Sequence, residues 1–150
     1  MISTKGRYAL RVMTDLAQHP AEVYVPLKDI AARQDISEKY LEIIVKVLVK
    51  KKLVKGLRGK GGGYRLTRSP GDYTVGEILE LTEETISQVA CLMPDAVKCP
   101  REDSCITLPL WKKFNGLVHD FFYNITLEDL INGDFLLFTH TGHQPFHGHL

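Results

Sequence analysis

Cys91, Cys99 and Cys105 are the only cysteines of this 150-residue chain, and they fall within one fifteen-residue stretch. Thiolates suit iron–sulfur clusters, zinc and copper(I). The intervals, seven residues and then five, differ from the paired Cys-x2-Cys of common zinc sites. An odd count argues against a disulfide framework and towards thiol chemistry or a metal. The three are read as a cluster site. The alternatives are unligated cysteines on a loop, or reactive sensor thiols.

A second group carries hydrogen-bonding and charge chemistry. Ser37, Lys39, Tyr40 and Glu42 lie at the start of a helical stretch, and Arg58, Gly59 and Lys60 lie at a glycine-rich turn. A helix fits the major groove of DNA, and exposed side chains near its N-terminus reach base edges. Ser37 and Lys39 can hydrogen-bond phosphate or base edges, and Glu42 can accept from the cytosine amino group. Ser37 is also explained as a helix cap, and Tyr40 is better explained as a core side chain. Arg58 and Lys60 suit the negative potential of a narrow minor groove, and the glycines let backbone approach phosphate closely. A nucleotide-binding loop is rejected, because a strand follows the glycines and no Ser or Thr follows Lys60.

Both groups need elements to position them. Residues 4–18 predict an amphipathic helix capped by Thr4, with Ala9, Val12, Met13 and Leu16 on one face. His19-Pro20 ends it. Residues 23–25 predict a short strand, and Pro26 opens a helix to about Gln34. Asp35 tolerates the left-handed backbone of a tight break. Ser37 then caps a helix to about Lys51, with Leu41, Ile44, Val45 and Leu48 buried and Lys39, Glu42, Lys46 and Lys50 opposite. This pair is a helix-turn-helix. Residues 53–58 and 63–67 predict two strands, and Gly59 to Gly62 close them into a hairpin, a wing.

A capping box from Thr74 to Glu77 predicts a helix to about Thr82. Residues 88–109, with Pro94, Pro100 and Pro109, read as irregular. A long helix follows from Leu110 to about Tyr123. Trp111, Phe114, Val118, Phe121 and Ile125 form a heptad-like seam, suited to pairing with a second copy. Thr126 caps a last short helix, which Gly133 stops. The expected fold class is mainly α with a small β-hairpin wing. A winged helix-turn-helix domain spans 1–82, a cysteine-bearing sensor loop 83–109, and a dimerisation helix with a short terminal helix 110–132. A disordered tail carrying His140, His143, His147 and His149 spans 133–150.

The net charge of +1 conceals two unlike halves. Residues 1–68 hold 15 Lys and Arg against 6 Asp and Glu, whereas residues 69–150 hold 4 against 12. A basic half on an acidic half points to a polyanion as partner of the first. No apolar run reaches the roughly 18 residues of a membrane span. The N-terminus has no apolar signal segment, so a cytoplasmic protein is expected.

Several strings in this order carry a family resemblance: Ser3-Thr4-Lys5-Gly6-Arg7-Tyr8-Ala9, Ile36 to Glu42, Leu53-Val54-Lys55, Arg58 to Tyr64, Leu110-Trp111 and Asn124 to Leu130. Over about residues 1–132 the chain resembles the Rrf-type winged-helix regulators of bacteria, which include the IscR, NsrR and CymR kinds. The resemblance implies a homodimer on a near-palindromic operator in double-stranded DNA. It places base-reading positions on Ser37, Lys39, Glu42 and Arg58; Lys39 stands where a serine is common. It also implies an iron–sulfur cluster on Cys91, Cys99 and Cys105, [2Fe–2S] ahead of [4Fe–4S], with one further ligand. Leu108 stands where some members carry an imidazole. Arg7 and Tyr8 stand where others carry a carboxylate for the partner chain's cluster. The fourth ligand stays open among His119, the tail histidines, Glu102 and Asp103. The rivals are a cluster-free regulator sensing through a thiol or a protein partner, and a winged-helix protein-interaction adaptor. No paired carboxylates or nucleophile–base pattern suggests an enzyme.

Overall fold

The computed structural model describes residues 2–83 and 85–134. The first helix, α1 (Thr4–Ala17), buries Ala9, Val12, Met13 and Leu16 on one face, as their helical spacing requires. Its cap is Ser3 rather than Thr4. The Ser3 hydroxyl accepts from the Gly6 amide at 3.1 Å and donates to the Glu83 carboxylate at 2.6 Å, and the Ser3 amide donates to Glu83 at 3.0 Å. A residue 80 positions away thus settles where α1 begins.

Two short helices follow, α2 (Leu27–Gln34) and α3 (Glu38–Lys50). Asp35 between them takes the left-handed backbone, at φ 50 and ψ 53. The Ser37 hydroxyl caps α3 by accepting from the Tyr40 amide at 3.3 Å. Leu41, Ile44, Val45 and Leu48 are all buried, and each large apolar side chain so placed contributes roughly 1.5–3 kcal/mol.

The wing is an antiparallel pair, β1 (Val54–Leu57) and β2 (Gly63–Leu66), in register Val54↔Leu66 to Leu57↔Gly63. Both strands are shorter than expected, so Arg58 opens the tip rather than ending a strand. The expected strand at 23–25 shrinks to one bridge, in which Val25 and Tyr64 exchange amide bonds of 2.8 and 2.9 Å. Gly63 makes that approach possible. It has φ 149, and a Cβ there would sit 2.3 Å from the Val25 carbonyl oxygen.

After a 3₁₀ turn (Pro70–Asp72) comes α4 (Val75–Thr82). The Thr74 hydroxyl accepts from the Glu77 amide at 3.1 Å. Glu77 takes an Arg68 guanidinium N–H at 2.6 Å, and no bond from it back to the Thr74 amide completes the expected capping box. Two further 3₁₀ turns, Ala90–Leu92 and Glu102–Ser104, punctuate the cysteine segment. The long helix α5 (Leu108–Tyr123) starts two residues ahead of the expected Leu110, because Pro109 fits a first turn that needs no amide donor. The last helix, α6 (Leu127–Asn132), has a complete capping box between Thr126 and Asp129, and Gly133 stops it at φ 74.

Helix α1 is the spine, packing on α2, α3, β2, α4 and α6. Tyr73 is fully buried beneath the wing. Its hydroxyl donates to the Leu53 carbonyl at 2.8 Å and accepts from the Thr67 and Arg68 amides at 2.9 Å each. A second cluster of Val75, Leu79, Ile86 and Ile125 takes Phe122 and Tyr123 against it, which fixes the C-terminal end of α5 to α4. Ile125 therefore belongs to its own chain's core, at 6% exposure, and not to the seam. The exposed apolar face of α5 is Leu110, Trp111, Phe114, Leu117 and Phe121, with Val118 half-buried beside them.

Asp15 ties α1 to the end of α2. It is buried, and its carboxylate accepts from Arg33 at 3.0 and 2.7 Å and from Gln34 at 2.9 Å. Burial pushes its pKa up, but the bonds from Arg33 and Gln34 and the guanidinium charge outweigh that and hold it below 3.8. A carboxyl with a lowered folded pKa stabilises fully above the unfolded value and loses that contribution as pH falls through the folded one. Asp15→Asn is thus expected to cost about 2 kcal/mol at pH 7. Urea unfolding along an acid titration should show the two proteins converging below pH 3.8.

Candidate nucleic-acid interface

Helix α3, the start of α2 and the wing enclose a cleft of about 700 Å³. Lys28, Lys46, Lys50 and Arg58 line it against a single acid, Glu38. On α3, Lys39, Glu42, Ile43, Lys46 and Lys50 share one exposed face, on which Lys39, Ile43, Lys46 and Lys50 follow at intervals of four, three and four and Glu42 stands beside Ile43. Ser37, Lys39, Glu42, Arg58, Gly59 and Lys60 are all exposed, and of these Arg58 and Gly59 line the cleft. Gly59, at φ 91, accepts from the Gly62 amide at 3.0 Å and turns the tip. Tyr40 is different. It is half-buried and sets its ring edge-on to Tyr8, with centroids 5.8 Å apart, so it supports α3 from the core side.

Sequence reasoning missed two residues here. Lys28 reaches the cleft because the Val25–Tyr64 bridge pins the start of α2 to β2, a long-range pairing with no local signal. Ile43 is 51% exposed on the α3 face between cations. Its signal was legible, as an isoleucine one residue off the buried stripe.

The cysteines lie on the segment joining α4 to α5. All three are free, Cys91 and Cys99 exposed and Cys105 half-buried. They line one cavity of about 260 Å³ with Met93, Glu102 and Leu108 among its other walls. Among the described residues, no three His, Cys, Asp or Glu side chains are close enough together to hold a metal ion. The thiols share a space without being gathered around a point. As a donor set, three free thiols opening into one cavity fit a thiolate-bound group. The Thr107 hydroxyl, 3.5 Å away, and the Thr107 amide lower the Cys105 pKa against an opposing effect of burial, with lesser help from the Leu108 amide and the Arg101 charge. Asp103 and His119 lie outside the cavity walls, and His119 stacks on Tyr123 at 4.3 Å. His140, His143, His147 and His149 lie outside the described residues. No helix among the described residues is long and apolar enough to cross a membrane.

Residues 2–133 match the Rrf2 family, described as an iron-dependent transcriptional regulator. The chain belongs to the Rrf2 family. This Rrf2 protein is 40% identical over 131 residues to the HTH-type transcriptional regulator IscR of Pectobacterium carotovorum subsp. carotovorum (strain PC1), covering 87% of this chain and 79% of that one. Its structure is similar to that of CymR (YrzC), the global cysteine regulator of B. subtilis, with a TM-score of 0.72 and 38% identity over 89% of this chain and 97% of that one. It is equally similar to T. potens IscR, with a TM-score of 0.72 and 39% identity over 89% and 88%. The expected fold, mainly helical with a hairpin wing, matches these neighbours. The Rrf2 chain is a DNA-binding transcriptional regulator and not an enzyme.

Proposed function

We propose that two copies of this Rrf2 chain pair through α5 and grip a near-palindromic operator in double-stranded DNA, under control of iron–sulfur or redox status at the cysteine cavity. The basic cleft between α3 and the wing carries this reading. In it, α3 enters the major groove with Ser37, Lys39 and Glu42 at base edges and Ile43 against a thymine methyl group. Lys28, Lys46, Lys50 and Arg58 neutralise phosphates. Gly59 and Lys60 bring the wing tip to the minor groove. A two-fold pair sets the two α3 helices about one turn of DNA apart, roughly 34 Å. Such a regulator works in the cytoplasm.

Cys91, Cys99 and Cys105 would hold an iron–sulfur cluster, [2Fe–2S] ahead of [4Fe–4S]. The bound group would supply electron-transfer chemistry and sensitivity to oxidants. The segment bearing these thiols runs from α4, beside α1, to the start of α5. Its rearrangement acts on the helix that pairs the two chains, and so on the spacing of the two α3 helices. Control requires that the DNA-competent and incompetent arrangements differ in affinity for the group.

A second reading has its own observation. The lowered pKa of Cys105 and the exposure of Cys91 and Cys99 suit direct thiol oxidation. Iron and sulfide counts on protein purified without air separate the two, since a thiol sensor contains neither.

The interface is tested by fluorescence anisotropy on a labelled duplex across a salt series. Arg58→Ala and Lys46→Ala should each weaken binding and reduce the slope of log K against log salt by about one. If both variants keep the parent slope, the phosphates lie elsewhere.

A further inference from the structure

We infer that Glu102 is the fourth protein ligand of an iron–sulfur cluster held by Cys91, Cys99 and Cys105. The inference rests on the cluster reading proposed above. Clusters of two or four irons are held by four protein ligands, and the chain has only three cysteines. One more donor is needed, and a carboxylate oxygen binds iron readily.

Four observations select Glu102. It is the one carboxylate, and there is no imidazole, among the residues lining the cavity that all three cysteines share. Its position completes a spacing. Two residues separate Cys99 from Glu102 and two separate Glu102 from Cys105, the short interval that recurs in metal-ligand runs. The cysteines alone lack this interval.

The backbone fixes the order. The Glu102 amide donates to the Cys99 carbonyl at 3.0 Å, and the Cys105 amide donates to the Glu102 carbonyl at 3.4 Å, so two consecutive turns that share Glu102 carry all three donors. Finally, the Glu102 side chain is half-buried, yet its carboxylate has no hydrogen-bond or ion-pair partner among the described residues. Asp103 next to it is exposed and faces no thiol cavity, and His119 is engaged with Tyr123.

The test reconstitutes the full chain with ferric iron, sulfide and excess thiol without air, then follows absorbance, Mössbauer spectra, iron and sulfide content, and iron loss to a chelator. The parent should show cluster iron with one oxygen donor. Glu102→Ala should surrender iron at least about ten-fold more readily. Glu102→Cys should keep the cluster and shift its visible absorption towards that of an all-thiolate site. Asp103→Ala should behave as the parent. Circular dichroism should be unchanged in all three variants, because the turn is at the surface.

A loaded parent with a Glu102→Ala variant of equal spectrum, iron content and chelator resistance overturns the ligand assignment alone, as does loss of the cluster in Asp103→Ala but not in Glu102→Ala. A parent that takes up neither iron nor sulfide overturns the assignment together with the cluster reading.

Discussion

Leu117→Asp should leave the chain monomeric at micromolar concentration and lower operator affinity by at least about 1,000-fold, the low end of the gap between specific and non-specific binding. Leu117 is 56% exposed on the free face of α5, between Phe114 and Phe121 at 42% and 51%. Five large apolar side chains on one helix face exceed what an unpartnered surface usually shows. In a two-fold pair, a carboxylate at the centre of that face loses its water and meets its own copy, with no counter-charge to offset either cost. The fold should not notice. Leu117 contributes little to either core cluster, and the end of α5 is held instead by Phe122 and Tyr123. Sedimentation and urea unfolding check both halves of the expectation. A variant that stays dimeric shows that α5 is not the pairing element.

The largest loss of stability is expected at Tyr73. Tyr73→Ala should cost about 3–5 kcal/mol, as removal of a fully buried aromatic does. Tyr73→Phe keeps the ring and should cost about 1–3 kcal/mol, because three backbone partners lose one buried hydroxyl. Those partners are the Leu53 carbonyl, where the chain enters the wing, and the Thr67 and Arg68 amides, where it leaves. The hydroxyl closes the base of the hairpin, so Tyr73→Phe should also weaken DNA binding while the protein is fully folded. Urea unfolding measures the first effect and anisotropy the second. A Phe variant as stable as the parent would mean that water or Thr67 replaces the hydroxyl without cost.

Much of this architecture was legible from local rules. The buried stripe of α3 follows from apolar residues at helical spacing, and Asp35, Ser37 and Gly133 act at the helix ends where their chemistry suits them. The glycine-rich hairpin following a helix-turn-helix marked the wing. What escaped depends on residues far apart in the chain. Glu83 decides that Ser3 caps α1. Arg68 engages the Glu77 side chain expected to complete a capping box. Ile125 fits the seam by spacing, but α5 ends at Tyr123, and the chain then turns Ile125 into its own core. Lys28 enters the cleft through a single bridge between Val25 and Tyr64. The cysteine site was half legible. The residue types named the chemistry, whereas the shared cavity, and the place of Glu102 in it, required the turn at 102–104.

The central claim is that paired, basic clefts hold a duplex through its phosphates. It is tested most directly by the salt dependence of the parent chain's affinity for a duplex selected from random sequence. Four cations line each cleft, and two clefts in a dimer predict a slope of log K against log salt near −7, at about 0.9 per phosphate neutralised. A slope near zero, or no detectable binding at low ionic strength, would contradict it.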